Sequence, residues 1–157
     1  MGTENEALQH NEISSKGYVC WQLRPDQIPA AWGDIEPFVV RALAAGYGEM
    51  TAADVFAKLC GGWLTAFVVA RDNKPELLMA AELVTYPQYC TVRVVLLAGK
   101  NAKSALVFWS AFEAWAVSLG AIAIESGGPI AQARLHRRLG FKPTHVHFRY
   151  SLKHQLQ

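Results

Sequence analysis

Between Trp63 and Ala98 the chain carries three near-continuous apolar stretches: Trp63 to Ala70, Leu77 to Tyr86 and Tyr89 to Ala98. Only the short turns Asp72-Asn73-Lys74-Pro75 and Pro87 interrupt them. Few folds accept this pattern. Short apolar runs rich in β-branched residues, bounded by turn residues, are strands. Turns of a few residues join antiparallel neighbours. Strands that are apolar on both sides need both faces of their sheet covered. The stretch is therefore expected to form an antiparallel meander buried between helices.

The flanking segments supply those helices. Tyr18 to Leu23 alternates as a short strand, and Arg24-Pro25-Asp26 breaks it. Trp32, Ile35, Val39, Ala42 and Leu43 recur at helical spacing up to Gly46 or Gly48, with Pro37 expected to split or kink the helix. Thr51 is placed to cap a second helix whose apolar side is Val55, Phe56 and Leu59, and Gly61-Gly62 stops it. After the meander, Asn101 to Leu119 reads as one long helix carrying Ala105, Phe108, Trp109, Phe112, Trp115, Ala116 and Leu119 on a broad stripe. Ala121 to Glu125 reads as a short buried strand. The turn Ser126-Gly127-Gly128-Pro129 and a helix over Ile130 to Leu139 follow. Phe141 to Leu152 alternates as a final strand, with Val146, Phe148, Tyr150 and Leu152 on one face and His145, His147, Arg149 and Ser151 on the other. The order β-α-α-β-β-β-α-β-α-β predicts an α/β (α+β) sandwich: a mixed, mostly antiparallel sheet with helices on both faces.

With 157 residues the chain suits a single domain, taken as 18–157 behind a polar, flexible lead-in over 1–17. No apolar run approaches the roughly 18 residues that would cross a bilayer. The first residues lack the apolar region of an export signal, and the three cysteines, Cys20, Cys60 and Cys90, show no CxxC pair. These features point to a cytoplasmic protein with free thiols that serve as packing residues, and to no cysteine-bound metal. His145 and His147 share a face at i, i+2, but no third ligand accompanies them, so no metal site is expected. From Ser126 onward there is no acidic residue, whereas Arg134, Arg137, Arg138, Lys142, Arg149 and Lys153 all lie there. That block either faces an anion or forms a solvated basic face. Nucleic acid is not favoured as the partner, because the overall charge is low and no aromatic and glycine interleaving accompanies it.

The segment Ala133-Arg134-Leu135-His136-Arg137-Arg138-Leu139-Gly140-Phe141 resembles the late helix and turn of the GNAT (Gcn5-related N-acetyltransferase) superfamily, commonly A-x-x-L-Y-x-x-x-G-F up to small shifts. The element order is similar to that family's over nearly the whole domain. Thr85-Tyr86-Pro87 and the Trp-rich helix also resemble small GNAT-like proteins of phages and prophages. The resemblance implies acetyl-CoA as cofactor and a small-molecule or protein amine as acceptor. It implies that the strand Val92–Ala98 splays from its neighbour, with backbone groups of Val95, Leu96 and Leu97 on the pantetheine arm and the thioester carbonyl. It further implies that Gly99, Lys100, Asn101, Lys103 and Ser104 face the pyrophosphate, with Arg134 also among the cofactor-binding residues. The family's loop is typically Q/R-x-x-G-x-G/A, and the stretch here lacks the second glycine and is shorter. His136 stands where the family often has the tyrosine that protonates the departing thiolate; an imidazole can do acid work. Glu82, inside the apolar strand Met79–Val84, is the candidate base; the other reading pairs it with Arg93 on the adjacent strand. Glu125 and Glu113 are weaker candidates. The expected function is an acyl-CoA-dependent N-acetyltransferase. The alternative is a catalytically degenerate GNAT-fold binding or assembly protein, for example phage-encoded, and a homodimer is left open.

Overall fold

The computed structural model describes residues 12–46, 48–100 and 102–152. The strands in that span are β1 (Glu12–Ser15), β2 (Tyr18–Leu23), β3 (Thr65–Arg71), β4 (Lys74–Thr85), β5 (Cys90–Gly99) and β6 (Ile124–Ser126). They form one sheet in sequential order, antiparallel throughout except for the parallel β5–β6 pair. The helices are α1 (Ile28–Leu43), α2 (Ala52–Cys60), α3 (Ala102–Val107), α4 (Trp109–Ser118) and α5 (Ala133–Arg138).

Local chemistry explains most boundaries. Asp72 and Asn73, both at positive φ (51° and 58°), make the two-residue β3–β4 hairpin turn, a conformation that Asp and Asn tolerate and that matches strand twist. Thr51 caps α2: its Oγ1 accepts from the Asp54 N–H at 3.2 Å, and the Asp54 carboxylate accepts from the Thr51 N–H at 2.8 Å. Those bonds hold the Asp54 carboxyl below the usual carboxylate range.

Side-chain alternation along the meander feeds two cores. On one face Val68, Leu78, Ala80 and Leu96 meet Ile28, Ile35, Val39, Val55 and Leu59 of α1 and α2. On the other, Phe67, Val69, Met79, Val92 and Val94 meet Phe108, Phe112 and Ala116 around α4. The expected sandwich, with helices on both faces of a mixed sheet, is therefore the architecture found.

The structure differs from the sequence expectations in several places. Up to residue 11 the flexible lead-in lies outside the described residues, but Glu12–Ser15 form a hairpin strand with β2 across Lys16-Gly17. Pro37 sits inside an unbroken α1. Both Pro37 and Gly33, whose carbonyl it leaves unpaired, are exposed, so water can satisfy that group. The long helix is two helices. At Phe108 the backbone leaves helical geometry (φ −107°, ψ 8°) while its ring stays buried. Phe141–Leu152 forms no strand: the segment pairs with none of the described strands, and Val146, Phe148 and Tyr150 are 73%, 86% and 90% exposed. Its alternation is that of a strand, but the neighbouring β6 spans 3 residues and offers a very short ladder.

Candidate active site

The site grows from the one parallel pair. β5 and β6 are in register at Val92↔Ile124, Arg93↔Glu125 and Val94↔Ser126. Beyond that point they part. β6 ends at Ser126, and β5 continues to Gly99 through a bulge: Ala80 faces Leu96 and Ala81 faces Val94, which takes Val95 out of the ladder. The chain after β6 leaves through Gly127-Gly128-Pro129 into α5, and the parting strands open beneath α4 and α5.

A cavity of about 180 Å³ fills this opening on the α4 face of the sheet. Val94 and Leu97 of β5, Phe108 and Trp109 at the helix break, and Ser126 and His136 are among the residues that line it. Phe141, from the Gly140-Phe141 pair, closes one wall, its ring 5.5 Å from Trp109 and 5.2 Å from His136 between centroids. Ligand pockets for drug-sized molecules start at roughly 300 Å³. The space here suits an acyl group and a few methylenes.

Polar chemistry in the cavity is sparse and specific. His136 Nδ1 lies 2.9 Å from the Gln132 carbonyl oxygen, and Nε2 lies 2.7 Å from Ser126 Oγ. A carbonyl can only accept, so neutral His136 carries its proton on Nδ1 and Nε2 accepts from the Ser126 hydroxyl. The Gln132 amide fills the corner beside Gly128: a Cβ there would sit 2.5 Å from Gln132 Oε1 and 3.7 Å from His136 Cε1. The buried indole N–H of Trp109 has no acceptor among the described residues. Cys20 also lines the cavity, and burial pushes its thiol up to about 11.

The expected site residues divide between two faces. Glu82 neighbours Ala81, which packs on the α4 side, so alternation turns Glu82 to the α1 side. There Arg93 lies 3.5 Å from Glu82 Oε1 and 3.5 Å from Glu125 Oε2, and the Tyr86 hydroxyl lies 3.3 Å from Glu125 Oε2. Glu82 and His136 are thus on opposite faces and are not brought together. Leu97 lines the cavity, whereas buried Leu96 and half-buried Val95 pack towards α1 and α2. Gly99 has a packing reason: a Cβ would lie 2.9 Å from the Glu76 carbonyl oxygen. Lys100 is exposed, and its N–H donates to that same carbonyl at 2.9 Å. Asn101 lies outside the described residues, Lys103 is in α3, Ser104 is fully buried there, and Arg134 is exposed on α5. Glu113 is exposed on α4. Sequence reasoning missed Ser126 and Trp109. Ser126 carried a signal, as a polar residue at the carboxyl end of a parallel strand, where open α/β sheets place their ligands.

No family model matches the chain, and no curated protein matches it in sequence. Solved structures do match in fold. A GCN5-related N-acetyltransferase from Ralstonia eutropha superposes with TM-score 0.62 at 15% identity, covering 86% of this chain and 99% of that one. A predicted acetyltransferase from Clostridium acetobutylicum, solved with acetyl-CoA, gives TM-score 0.66 at 10% identity over 88% and 99%. The aminoglycoside acetyltransferase meta-AAC0020 from an uncultured soil metagenomic sample, in complex with sisomicin, gives 0.64 at 14% identity over 87% and 97%. With the parting parallel strands, the bulged β5 and helices on both faces, the chain has the fold of the GCN5-related N-acetyltransferases.

Proposed function

We propose that the protein is an acyl-CoA-dependent N-acetyltransferase that uses acetyl-CoA and acetylates a small-molecule or protein amine. The observation that carries this reading is the parting of β5 and β6 beyond Val94 and Ser126, directly over an apolar cavity with one imidazole–hydroxyl pair. The residues present fit the cofactor's two ends. The cavity accepts an acyl group, and Trp109, which lines it, carries a buried indole N–H with no acceptor among the described residues. Exposed Lys100 and Arg134 offer cations to phosphates. When bound, acetyl-CoA supplies the activated acetyl thioester. The chain's own part is to seat the acyl group among Leu97, Phe108 and Trp109 and to keep water from it. Its second part is to accept a proton at His136 Nε2, with the Ser126 hydroxyl between imidazole and cleft. Glu82, paired with Arg93 on the α1 side of the sheet, stands apart from the cavity and is assigned no proton transfer there. Free thiols at Cys20, Cys60 and Cys90 fit a reducing, cytoplasmic setting.

The exposed alternating residues of 141–152 favour a second reading. In it the fold serves assembly, as a homodimer or a phage-type accessory protein, with the chemistry lost.

The test is a thermal-midpoint titration with acetyl-CoA and, separately, free CoA. Ligand at 100 times its dissociation constant adds about 2.7 kcal/mol, a rise of roughly 5–10 °C for a domain of this size. The rise should vanish when charge is reversed at Lys100 and Lys103. No shift at millimolar acetyl-CoA would overturn the cofactor reading.

A further inference from the structure

We propose that Ser126 is a nucleophile activated by His136, and that the protein cleaves small acyl esters through an acyl-Ser126 intermediate. This activity is independent of acetyl-CoA binding. The neutral imidazole is held in the one tautomer that makes Nε2 a proton acceptor: the Gln132 carbonyl oxygen accepts from the Nδ1–H at 2.9 Å. Nε2 then meets the Ser126 hydroxyl at 2.7 Å, within the reach that nucleophile–base pairs require. A backbone carbonyl here plays the orienting part that a carboxylate plays in a serine triad. That orientation is built into the fold, because Gln132 and His136 are one helical turn apart.

Two further observations point the pair at an acyl group rather than at a purely structural hydrogen bond. Ser126 and His136 both line the apolar cavity, whose 180 Å³ admits a short acyl chain. Trp109 lines the same cavity, and its buried indole N–H has no acceptor among the described residues, which leaves a donor to be paired.

The chemistry balances without any further reagent than water. Ser126 Oγ passes its proton to His136 Nε2 as it bonds to the acyl carbon. The bond from that carbon to the leaving oxygen breaks, and the alkoxide takes the proton from Nε2 and departs as an alcohol. Water then gives a proton to Nε2 as its oxygen bonds to the acyl carbon. The carbon–Oγ bond breaks, Oγ recovers the proton, and a carboxylic acid leaves.

The test uses the full chain with p-nitrophenyl butyrate as substrate and a fluorophosphonate as covalent probe, neither of which contains CoA. The expected result is one phosphonyl adduct per chain, mapped to Ser126, and ester hydrolysis that falls at least about 100-fold in Ser126→Ala and in His136→Gln. The amide of His136→Gln can still hydrogen-bond Ser126 but cannot act as the base. A second variant guards against a folding defect. In Ser126→Cys the thiol should react with iodoacetamide about tenfold or more faster than in Ser126→Cys/His136→Gln, at equal thermal midpoints. An unlabelled Ser126, hydrolysis that survives Ser126→Ala, or equal alkylation with and without His136 would each overturn the proposal. A protein that labels at Ser126 yet shows no acetyl-CoA shift would keep this activity and lose only the acetyltransferase reading.

Discussion

Replacing Gly99 by alanine separates a packing glycine from a cofactor glycine. The added Cβ would lie 2.9 Å from the Glu76 carbonyl oxygen and 3.1 Å and 3.2 Å from Leu77 Cβ and Cδ1, whereas ordinary contact begins near 3.4 Å. Two of those neighbours are fixed parts of β4, so relief comes from opening the β4–β5 edge by about 0.5 Å. That movement stretches the Lys100 N–H to Glu76 carbonyl bond, now 2.9 Å, beyond good geometry. Overpacking costs about 1–3 kcal/mol and weakening one hydrogen bond about 0.5–1.5 kcal/mol. The lower backbone entropy of unfolded alanine offsets about 0.5–1 kcal/mol. The net expectation is a loss of about 0.5–4 kcal/mol, read as a fall in thermal midpoint of roughly 1–16 °C. Urea unfolding at unchanged m-value should give the same loss. A midpoint equal to or above that of the parent would refute the reasoning, and would return Gly99 to a purely ligand-facing role.

Two further outcomes follow from the cavity. Burial pushes the Cys20 thiol up from its ordinary range to about 11, so the folded state holds its thiol proton after the unfolded chain has lost it. Stability is therefore whole below about pH 9 and declines as pH rises towards 11, by about 1–3 kcal/mol in all. Denaturant melts between pH 8 and 11 should show that decline, and Cys20→Ala should lack this component; identical slopes would count against it. Phe141→Ala removes two ring contacts, to Trp109 and His136, each worth about 0.5–1.5 kcal/mol. Urea midpoints should register a loss of about 1–3 kcal/mol, and an unchanged midpoint would mean that Phe141 does not hold that wall.

The parts of the fold readable in the residues are those where one local signal suffices. Strand periodicity gave the meander, and Thr51 with Asp54 marked the start of α2. The break at Phe108 carries no glycine or proline, so no residue type announced it. Pro37 looked like a breaker, yet it lies on the exposed side of α1 together with Gly33, where water can reach the helix. The last segment failed as a strand because alternation describes a strand's faces and says nothing about an edge to pair with. In the site, Gly140-Phe141 was legible as a helix stop, but its second service, walling the cavity, depends on Trp109 from a distant helix. Glu82 and His136 were both plausible by type, and only the pleat of β4 reveals that they face opposite ways. The Ser126–His136 pair spans a turn and a helix, so no spacing rule announced it.

The shortness of β6 has a kinetic consequence. β4 and β5 are tied by nine register pairs running from Leu77↔Gly99 to Thr85↔Cys90, whereas β6 is tied by Val92↔Ile124, Arg93↔Glu125 and Val94↔Ser126. The helix α5 that follows buries none of its residues fully. Opening free energies across a protein track such differences in local contact. The segment from β6 to α5 is therefore a low-stability foldon attached to a stable sheet, and its amides exchange with solvent well before those of β3, β4 and β5. Because Ser126 and His136 sit at its two ends, warming dismantles the cavity while the meander is still intact. Loss of the cavity then precedes global unfolding, and a ligand that bridges β5 and α5 rigidifies the part of the molecule with the most order to gain.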